Sequence, residues 1–386
     1  MKLFHRILLP LAALATAGAA GGAEDIAPAV PTPEEVPIAL VVDLSSGQTL
    51  LERDADRRFV PASITKVMTV FTAFELMEEG RLFPDQVIDV SDAMFEEWHG
   101  VGSTMFLPAK GRVTVDELLL GITTVSANDG AAVLAEGAAG SVDKWLDLMN
   151  AKAREIGMRD SHFGTPNGWP DEGRTYVSAR DLATLARAMF ARHPSKYRHY
   201  FGHQGMRFNG IAQNNHDPIT GRVRGADGIK TGFTNQAGYG FLGTALRDGR
   251  RLVMVVAAVE SGFTRGRASR ELMEWGFQDF DSRRLFAKDQ VVGAARVQGG
   301  GFTEVPLLAL GQVNVTVPKG ANPAVDLAIR YEGPLQAPIE EGERVAELQI
   351  TVAGMPPSTV PLVAGRAVAE ATLLERLFNG IGGLFS

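Results

Sequence analysis

The chain is organised around residues 60–69, which read VPASITKVMT. From Val67 onward, apolar residues recur at helical spacing, so this stretch predicts the first turns of a helix. Pro61 suits the entry of a helix, and Ser63 is a residue type that opens one. On such a helix Ser63 and Lys66 lie three positions apart, and their side chains therefore share one face.

Ser63 and Lys66 allow two interpretations. In the simpler one, Ser63 caps the helix and Lys66 is a solvated surface residue. A capping box, however, places Glu or Gln three residues after the serine, and the helix dipole disfavours a cation in the first turn. Such local departures are typical of functional sites. The dipole and burial also favour the neutral amine, which is the form that accepts a proton. The pair is therefore a candidate nucleophile and base.

A second polar segment, SANDG at residues 126–130, joins two predicted helices. A capping-box pattern at Thr114 opens the first, apolar helix, and an alanine-rich helix over residues 131–139 follows the segment. Ser, Asn, Asp and Gly all favour turns, so a simple helix–helix turn explains the segment. The alternative is that the two helices hold Ser126 and Asn128 at a fixed edge.

A third segment, GIKTGFT at residues 228–234, precedes two strand-like runs over 238–246 and 251–259. An Asp-Gly pair between these runs is a strong hairpin signal. Residues 230–232 are therefore expected on a strand of the same sheet, where glycine lets a ligand or another backbone approach closely. The simpler alternative is a strand end with a solvated lysine.

Composition excludes several classes of protein. The 386 residues are 45% hydrophobic and 22% charged, which is typical of a globular protein with room for two domains. The net charge is -7 and no basic block is present, so we expect no nucleic-acid partner. Cysteine is absent, which excludes disulfides, a thiol nucleophile and thiolate metal sites. His199 and His203 are four apart, but they lack a zinc-binding pattern and we expect no metal.

The N-terminus predicts export. Residues 1–23 have the build of a secretory signal peptide, because a basic start precedes an apolar run that is too short to span a bilayer. Cleavage is expected near Ala23, with Ala19 and Ala20 as alternatives, and an uncleaved membrane anchor is the other possibility. Residues 24–36 then form a proline-containing linker.

Other elements surround the three segments. They are a hairpin of residues 38–42 and 49–51, continuation of the Ser63 helix to about Glu79, an amphipathic helix over 142–156, an irregular loop over 161–170, a helix opened by Ser178, and a helix over 272–277 that Arg265 and Arg267 precede. Weak periodicity leaves residues 193–224 unassigned.

The C-terminal part has a different character. Residues 313–317, 325–331 and 346–352 alternate with period two between glycines and prolines, which predicts a small all-β domain over 284–366. It contains no set of catalytic or ligand-binding residues and is interpreted as a spacer or recognition module. Residues 367–386 place apolar residues on one helical stripe, which can lie in a membrane interface or pack on the β-domain.

Taken together, Ser-x-x-Lys, Ser-x-Asn and Lys-Thr-Gly in this order are the set found in penicillin-binding proteins and serine β-lactamases. More narrowly, PASITKVMT, SAND and KTGFT with AGY at residues 237–239 resemble the D-alanyl-D-alanine carboxypeptidases, which are low-molecular-mass penicillin-binding proteins with an added β-domain. The resemblance implies an α/β (α+β) transpeptidase-like domain over 37–283, a β-sandwich-like domain over 284–366 and an amphipathic membrane-associating helix over 367–386.

The resemblance implies acyl transfer on a peptidoglycan stem peptide ending in D-Ala-D-Ala. Ser63 would attack the penultimate D-Ala carbonyl, with Lys66 accepting its proton. Ser126 would relay a proton to the departing D-alanine, and Lys230 would hold that relay in an electropositive field. Asn128 would hydrogen-bond the substrate amide.

The resemblance also implies binding groups for the oxyanion and the terminal carboxylate. The oxyanion hole would use the backbone N–H groups of Ser63 and of Phe233, the residue after Gly232. Thr231 and an arginine matching Arg265 would bind the carboxylate. Water would hydrolyse the acyl-enzyme, and β-lactams such as penicillin would acylate the same serine.

Two details depart from the family pattern, and the roles of two further residues stay open. Phe233 stands where many relatives have histidine, which puts the rate and pH dependence in question. Ser126-Ala-Asn128 replaces the common Ser-Gly-Asn, and Arg267 is close enough in sequence to compete with Arg265. His162 matches a histidine of the family, but no chemical role is assigned to it.

The resemblance implies no cofactor, and it implies a periplasmic enzyme attached peripherally to the inner membrane. One rival is a serine β-lactamase, for which Glu172 is a candidate deacylating residue without a convincing motif. The other rival is a non-catalytic cell-wall binding protein, which has no reason to keep Ser63, Lys66 and Lys230 together.

Overall fold

The computed structural model describes residues 7–8 and 30–372. Within them the chain forms two compact units, one of residues 30–42 and 50–277, the other of residues 7–8, 43–49 and 278–372. Most of the predicted signal peptide and residues 373–386 of the predicted tail lie outside the described residues. No helix in the described ranges is long and apolar enough to cross a membrane.

The strands occur along the chain in the following order. They are β1 (Ile7–Leu8), β2 (Ile38–Asp43), β3 (Gln48–Arg53), β4 (Val87–Asp89), β5 (Arg112–Thr114), β6 (Gly205–Phe208), β7 (Ile211–Asn214), β8 (Ala226–Thr234), β9 (Gly238–Arg247), β10 (Arg250–Val259), β11 (Phe280–Phe286), β12 (Val291–Gln298), β13 (Glu304–Ala309), β14 (Val313–Pro318), β15 (Val325–Arg330), β16 (Leu335–Gln336), β17 (Arg344–Val352) and β18 (Ser358–Ala364).

The helices are concentrated in the first unit. A short 3-10 helix (Ala62–Thr65) precedes α1 (Lys66–Glu78), α2 (Asp92–Trp98), α3 (Val115–Thr124), α4 (Asn128–Ala139), α5 (Val142–Glu155), α6 (Ala179–Arg192), α7 (Pro194–Tyr200) and α8 (Gly262–Gln278).

The first unit is built on a five-stranded sheet in the order β3-β2-β10-β9-β8. β10 is buried along nearly its whole length, whereas β8 is an edge strand that pairs only with β9 in the sheet. The helix α1 is buried on nearly all sides and contacts α3, α4, α5 and β8, as expected for a helix without a polar face. The sheet edge β8 and the start of α1 are therefore neighbours.

Most predicted elements of this unit are present, but four expectations need correction. The helix predicted from Ala131 begins at Asn128, because Asn and Asp are well suited to a first helical turn. The helix predicted over 272–277 begins at Gly262, so Arg265 lies on it; glycines and arginines hide its first turns. The unassigned region 193–224 holds α7 and the hairpin β6–β7, and α2 was not predicted.

The second unit is all-β in its described part. Its seven-stranded sheet has the order β1-β15-β17-β18-β13-β12-β16, and β11 pairs with β14. Alternating apolar residues such as Leu327 and Ile329 on β15, or Leu348 and Ile350 on β17, form its core. The unit begins near residue 278, slightly before the predicted start at 284, because exposed charged residues on β11 weaken its pattern.

The described start of the predicted tail is extended chain. Val368 forms an isolated bridge with Ile339, and Glu370 forms one with Gly300. Val368 is fully buried in the core of the second unit. Residues 367–370 thus belong to the β-domain and not to a helix.

Candidate active site

Ser63 lies in the 3-10 helix directly before α1. Pro61 occupies the N-cap position, and the Ser63 hydroxyl makes no capping hydrogen bond, so the simpler interpretation of Ser63 as a helix cap does not apply. Ala62 has a positive φ of 49°, a strained conformation that turns the chain sharply just before the serine. The Ser63 hydroxyl oxygen lies 3.0 Å from the Lys66 Nζ.

Lys66 is the first residue of α1 and is 1% exposed. Its Nζ lies 2.7 Å from the Asn128 side-chain oxygen and 2.7 Å from the backbone oxygen of Asn167. Both oxygens can only accept hydrogen bonds. A neutral amine has two N–H groups, and donating both to these oxygens leaves its lone pair for the proton of Ser63.

The lowered pKa of Lys66 favours this arrangement. Burial lowers the pKa of Lys66 well below its ordinary value, and the charge of Lys230 lowers it further, against the opposing effect of Asp129. The shift favours the uncharged amine, which is the form that accepts a proton.

The loop between α3 and α4 brings Ser126 and Asn128 to the same place. Ser126 has a φ of 64°, which is strained for a residue with a Cβ, and its hydroxyl has no hydrogen-bond partner within the described part of the chain. The Asn128 amide nitrogen donates to the backbone oxygen of Val101 at 3.0 Å. With its oxygen on Lys66, this amide has a fixed orientation.

Asp129 holds a neighbouring loop in position. Its carboxylate accepts hydrogen bonds from the backbone N–H of Met105 (3.0 Å), Leu107 (3.1 Å) and Gly130 (2.8 Å). Burial raises the pKa of Asp129, while these three donors oppose the shift. The sequence motifs assign no role to Asp129, although it directly follows Ser-x-Asn.

Lys230 lies on the edge strand β8 and is 5% exposed. Its Nζ donates to the backbone oxygen of Thr231 at 3.0 Å. Burial lowers the pKa of Lys230 to about 7, and Arg265 lowers it further against the opposing effect of Asp217. The lysine therefore changes its charge near neutral pH.

Gly232 is the point where β8 meets the Ser63 turn. A Cβ at this position would lie 2.4 Å from the backbone oxygen of Pro61 and 3.1 Å from the side chain of Ile64. Any side chain would push the strand away from the serine. Glycine is thus required here for the close backbone approach that the sequence predicted.

Arg265 and Arg267, which the sequence could not separate, have different surroundings. Arg267 forms ion pairs with Glu35 and Glu271. Arg265 lines the same cavity as Ser63, and its buried Nε has no hydrogen-bond partner in the described ranges. Arg265 is therefore the arginine available to a ligand.

Phe233 and Tyr239 form an aromatic wall beside Arg265. Their rings stack with centroids 4.1 Å apart, and the Arg265 guanidinium lies 5.5 Å from the Tyr239 ring. Phe233 is 47% exposed. It presents an apolar face to the cleft.

One cleft of about 580 Å³ collects these groups. The predicted residues among its lining are Ser63, Ser126, Asn128, Thr231, Gly232, Phe233 and Arg265. Lys66 and Lys230 are buried next to them. None of the lining residues is an aspartate or glutamate, and Glu172 is exposed and does not line the cleft.

Other predicted candidates lie elsewhere. His162 does not line the cleft; it hydrogen-bonds the backbone oxygen of Arg174 at 2.8 Å. His199 contacts Asp116, and His203 contacts the backbone oxygen of His199. Within residues 30–372, no group of three or more acidic or histidine side chains could hold a metal ion.

Asn167, Trp169 and His216 lie in or beside the cleft and were given no role in the sequence analysis. Asn167 orients Lys66 through its backbone, Trp169 lines the cleft and packs edge-on against Trp98, and His216 lies near Lys230 and Arg265. Their positions depend on irregular loops. The sequence cue that could have drawn attention to this loop is Gly168. Its φ of 77° and its contact with Ala62 leave no room for a Cβ.

The fold and the cleft define a class of protein. A serine hydroxyl beside a buried lysine with a lowered pKa, with a second buried lysine on an adjacent sheet edge, is the arrangement of the penicillin-binding serine acyltransferases. A family model described as D-alanyl-D-alanine carboxypeptidase matches residues 30–261, and one described as the C-terminal domain of penicillin-binding protein 5 matches residues 280–370.

Individual relatives agree with the family models. D-alanyl-D-alanine carboxypeptidase DacD of Escherichia coli is 30% identical over 92% of this chain and 93% of its own. Penicillin-binding protein 5 of Haemophilus influenzae is similar in structure, with a TM-score of 0.75 and 28% identity over 89% of this chain and all of that one. Penicillin-binding protein D2 of Listeria monocytogenes, solved with ampicillin bound, has a TM-score of 0.55 and 27% identity over 63% of this chain and 98% of that one.

The chain therefore belongs to the D-alanyl-D-alanine carboxypeptidase family of low-molecular-mass penicillin-binding proteins. It is a serine-type D-Ala-D-Ala carboxypeptidase, and the family and fold class predicted from the three motifs are confirmed.

Proposed function

We propose that this enzyme removes the terminal D-alanine from peptidoglycan stem peptides through an acyl-enzyme on Ser63. The observation that carries the proposal is the position of the Lys66 amine. It lies 3.0 Å from the Ser63 hydroxyl and donates hydrogen bonds to the Asn128 side-chain oxygen and the Asn167 backbone oxygen. This geometry supports proton transfer from serine to lysine as the serine attacks the penultimate D-Ala carbonyl.

Ser126 completes the first half of the reaction. Its hydroxyl faces the cleft without a hydrogen-bond partner among residues 30–372, so it is free to pass a proton to the departing D-alanine nitrogen. The amide bond breaks, D-alanine leaves, and Ser63 retains the acyl group as an ester. Water then hydrolyses the ester. Asn128, fixed by Lys66 and Val101, is suited to a hydrogen bond with the substrate amide.

The edge of β8 supplies an oxyanion site. The Thr231 backbone oxygen accepts a hydrogen bond from the Lys230 amine. This bond supports an orientation in which the backbone groups of Thr231 point away from β9. In an antiparallel strand, alternate residues direct their backbone groups to the same side, so the N–H of Phe233 shares that side. With the N–H of Ser63, it would stabilise the negative charge on the attacked carbonyl oxygen.

The substrate carboxylate is assigned to Thr231, Lys230 and Arg265. Arg265 lines the cleft, and its guanidinium is not committed to an ion pair within the described part of the chain. Lys230 adds a positive charge at acidic and neutral pH. We therefore expect the enzyme to require a free carboxylate at the C-terminus of its substrate, because these cations bind it.

We also propose that β-lactams acylate Ser63 and leave it slowly. The ampicillin-bound relative supports acylation. Fast deacylation needs a general base near the ester, and no carboxylate lines the cleft. A β-lactamase with Glu172 as its deacylating residue is therefore the weaker alternative.

We propose a periplasmic location, where the cell-wall substrate lies; the similarity to D-alanyl-D-alanine carboxypeptidases supports it. We also propose a signal peptide over residues 1–23 and attachment of the protein to the inner membrane through residues 373–386. A β-domain that carries no catalytic set is consistent with a spacer between membrane and active site.

The test is release of D-alanine from diacetyl-Lys-D-Ala-D-Ala by the full chain. The wild type should release D-alanine, Ser63→Ala should not, and Ser195→Ala, at an exposed position on α7, should match the wild type. Equal release by wild type and Ser63→Ala would exclude the acyl-enzyme, and no release by either would favour a non-catalytic binding protein.

A further inference from the structure

A second cavity of about 300 Å³ adjoins the cleft on the carboxylate side. The two cavities share His216 and Arg265, so these side chains form the wall between them. The second cavity therefore begins where the terminal carboxylate of a D-Ala-D-Ala substrate would lie. Its position is on the leaving-group side of the scissile amide.

The cavity is strongly basic. Arg222, Arg265 and Arg270 line it together with His216, and no aspartate or glutamate is among its lining residues. Asp217 interacts electrostatically with Arg265, but its oxygens already accept hydrogen bonds from the backbone of Ile219 and from Thr220.

The arginines are available to a ligand. The Arg222 guanidinium has no hydrogen-bond partner within residues 30–372, and the one hydrogen bond of Arg270, to the backbone oxygen of Pro218, is long at 3.5 Å. The buried Nε of Arg265 also has none within this range. Three guanidinium groups that converge on one cavity without a carboxylate form a receptor for an anion.

A single terminal carboxylate does not use this cavity. D-Alanine carries one carboxylate, which Thr231 and Arg265 bind on the cleft side of the wall. Arg222 and Arg270 line the second cavity and not the cleft. A group that reaches them must extend from the leaving residue beyond a methyl side chain.

We propose that this cavity binds a second carboxylate on the leaving group, so that the enzyme also cleaves D-alanyl bonds to larger D-residues that carry an acidic side chain. This inference rests on the proposed function, because it uses the same acyl-enzyme. The bond broken is the amide between the acyl D-alanine and the nitrogen of the leaving residue. Ser126 supplies the proton to that nitrogen, and water later takes up the acyl group from Ser63.

The rim of the cavity suits an extended leaving group. Phe263 on α8 is 79% exposed and lines this opening. An aromatic ring at the mouth can pack on the aliphatic part of an acidic side chain while the arginines bind its carboxylate. The cavity remains open to a chain that continues outward.

The experiment compares two peptides that differ by one charge: diacetyl-Lys-D-Ala-D-Glu and its isostere diacetyl-Lys-D-Ala-D-Gln. The readout is the ratio of their kcat/KM values within one enzyme, which cancels losses of folded protein. The wild type should prefer the D-Glu peptide by about tenfold, the effect of one good charged hydrogen bond. The double variant Arg222→Gln/Arg270→Gln should bring the ratio close to one.

Arg224→Gln is the matched control, because Arg224 is exposed and pairs with Asp248 at 3.1 Å. It should keep the wild-type ratio. A wild-type ratio near one, or a preference that persists in the double variant, would overturn the proposal. D-Alanine release from diacetyl-Lys-D-Ala-D-Ala is measured in parallel; its absence in the wild type would instead contradict the proposed function.

Discussion

Lys66 and Lys230 are both buried, and burial lowers the pKa of each. Their surroundings nevertheless give them different tasks. Lys66 lies between two carbonyl acceptors beside Ser63, whereas Lys230 lies near Arg265 on the carboxylate side. The charge of Lys230 lowers the pKa of Lys66, and the proposed reaction uses an uncharged Lys66 beside a protonated Lys230. The pH profile of the enzyme reports both residues.

Lys230→Arg is expected to move the alkaline limb of the kcat/KM profile upward. In the wild type, kcat/KM for D-alanine release should fall as pH rises through the Lys230 pKa of about 7, because the charge that attracts the carboxylate is lost. Arginine stays charged, so the limb should shift by about one pH unit or more. Lys288→Arg, an exposed position in the second unit, is the control. An unchanged limb in Lys230→Arg would assign the alkaline pKa to another group.

Arg265→Ala and Arg267→Ala should separate the two arginines. Arg265→Ala removes a charged partner of the substrate carboxylate and should lower kcat/KM by roughly 10- to 100-fold. Arg267→Ala removes ion pairs with Glu35 and Glu271 away from the cleft and should stay within about twofold. Steady-state kinetics on diacetyl-Lys-D-Ala-D-Ala decide the matter. The reverse order of effects would place the carboxylate at Arg267.

At the scale of elements, the contact between β8 and the 3-10 helix aligns the oxyanion site with the nucleophile. Gly232 permits this contact, and Gly168 permits a second close approach, to Ala62 from the other side. Both approaches join segments that are far apart in the chain. The position of Ser63 therefore depends on two glycines that have no side chain to take part in the reaction.

Gly232→Ala is expected to slow acylation of Ser63 by benzylpenicillin by about 100-fold. Its Cβ would lie 2.4 Å from the Pro61 oxygen. The strand would have to move to relieve this contact, and a shift of about 1 Å is enough to misalign reacting groups. Intact-mass measurement of adduct formation over time gives the rate. Gly311→Ala, where nothing lies within 4 Å of an added Cβ, is the control and should react like the wild type. Acylation of Gly232→Ala at the wild-type rate would show that the strand does not position the site.

The sequence predicted elements well where local patterns determine them. The capping box at Thr114 forms as expected, with Glu117 bonded to it in both directions. The start of α8 was missed because Gly262, Arg265, Gly266 and Arg267 interrupt the apolar pattern. The Ser63 turn was predicted as ordinary helix, because a 3-10 geometry with a strained Ala62 is imposed by packing and not by composition.

At the scale of the whole molecule, the three motifs gave the family and most of the cleft. They could not give Asn167 or His216, because each acts through contacts with residues distant in sequence: the Asn167 backbone oxygen with Lys66, and His216 with Lys230 and Arg265. The basic cavity was missed for the same reason. Its arginines are scattered along the chain, and only folding brings them together.

The second unit contains a buried polar cluster that contributes to its stability. The Thr316 hydroxyl donates to Asp43 at 2.8 Å and lies 2.8 Å from the Ser46 hydroxyl, and its backbone oxygen accepts from Gln48 at 2.9 Å. All four residues are fully buried. A cluster of this kind is stable only while every member has a partner.

Thr316→Ala should therefore lower the free energy of unfolding of this unit by about 1 to 3 kcal/mol, since it leaves the Asp43 carboxylate short of a donor. Urea unfolding followed by hydrogen exchange on the strands of the second unit measures the change. Thr303→Ala, at an exposed site in the same unit, should be close to neutral. Equal stability of the two variants would mean that the cluster contributes little.

The central claim is that an uncharged Lys66 activates Ser63, and the pH dependence of β-lactam acylation tests it most directly. Intact mass gives the rate at each pH, and peptide mapping gives the modified residue. We expect one adduct, on Ser63, formed at a rate that has already reached its maximum near neutral pH. An adduct elsewhere, or a rate that keeps rising tenfold per pH unit towards the ordinary pKa of lysine, about 10.4, would contradict the mechanism.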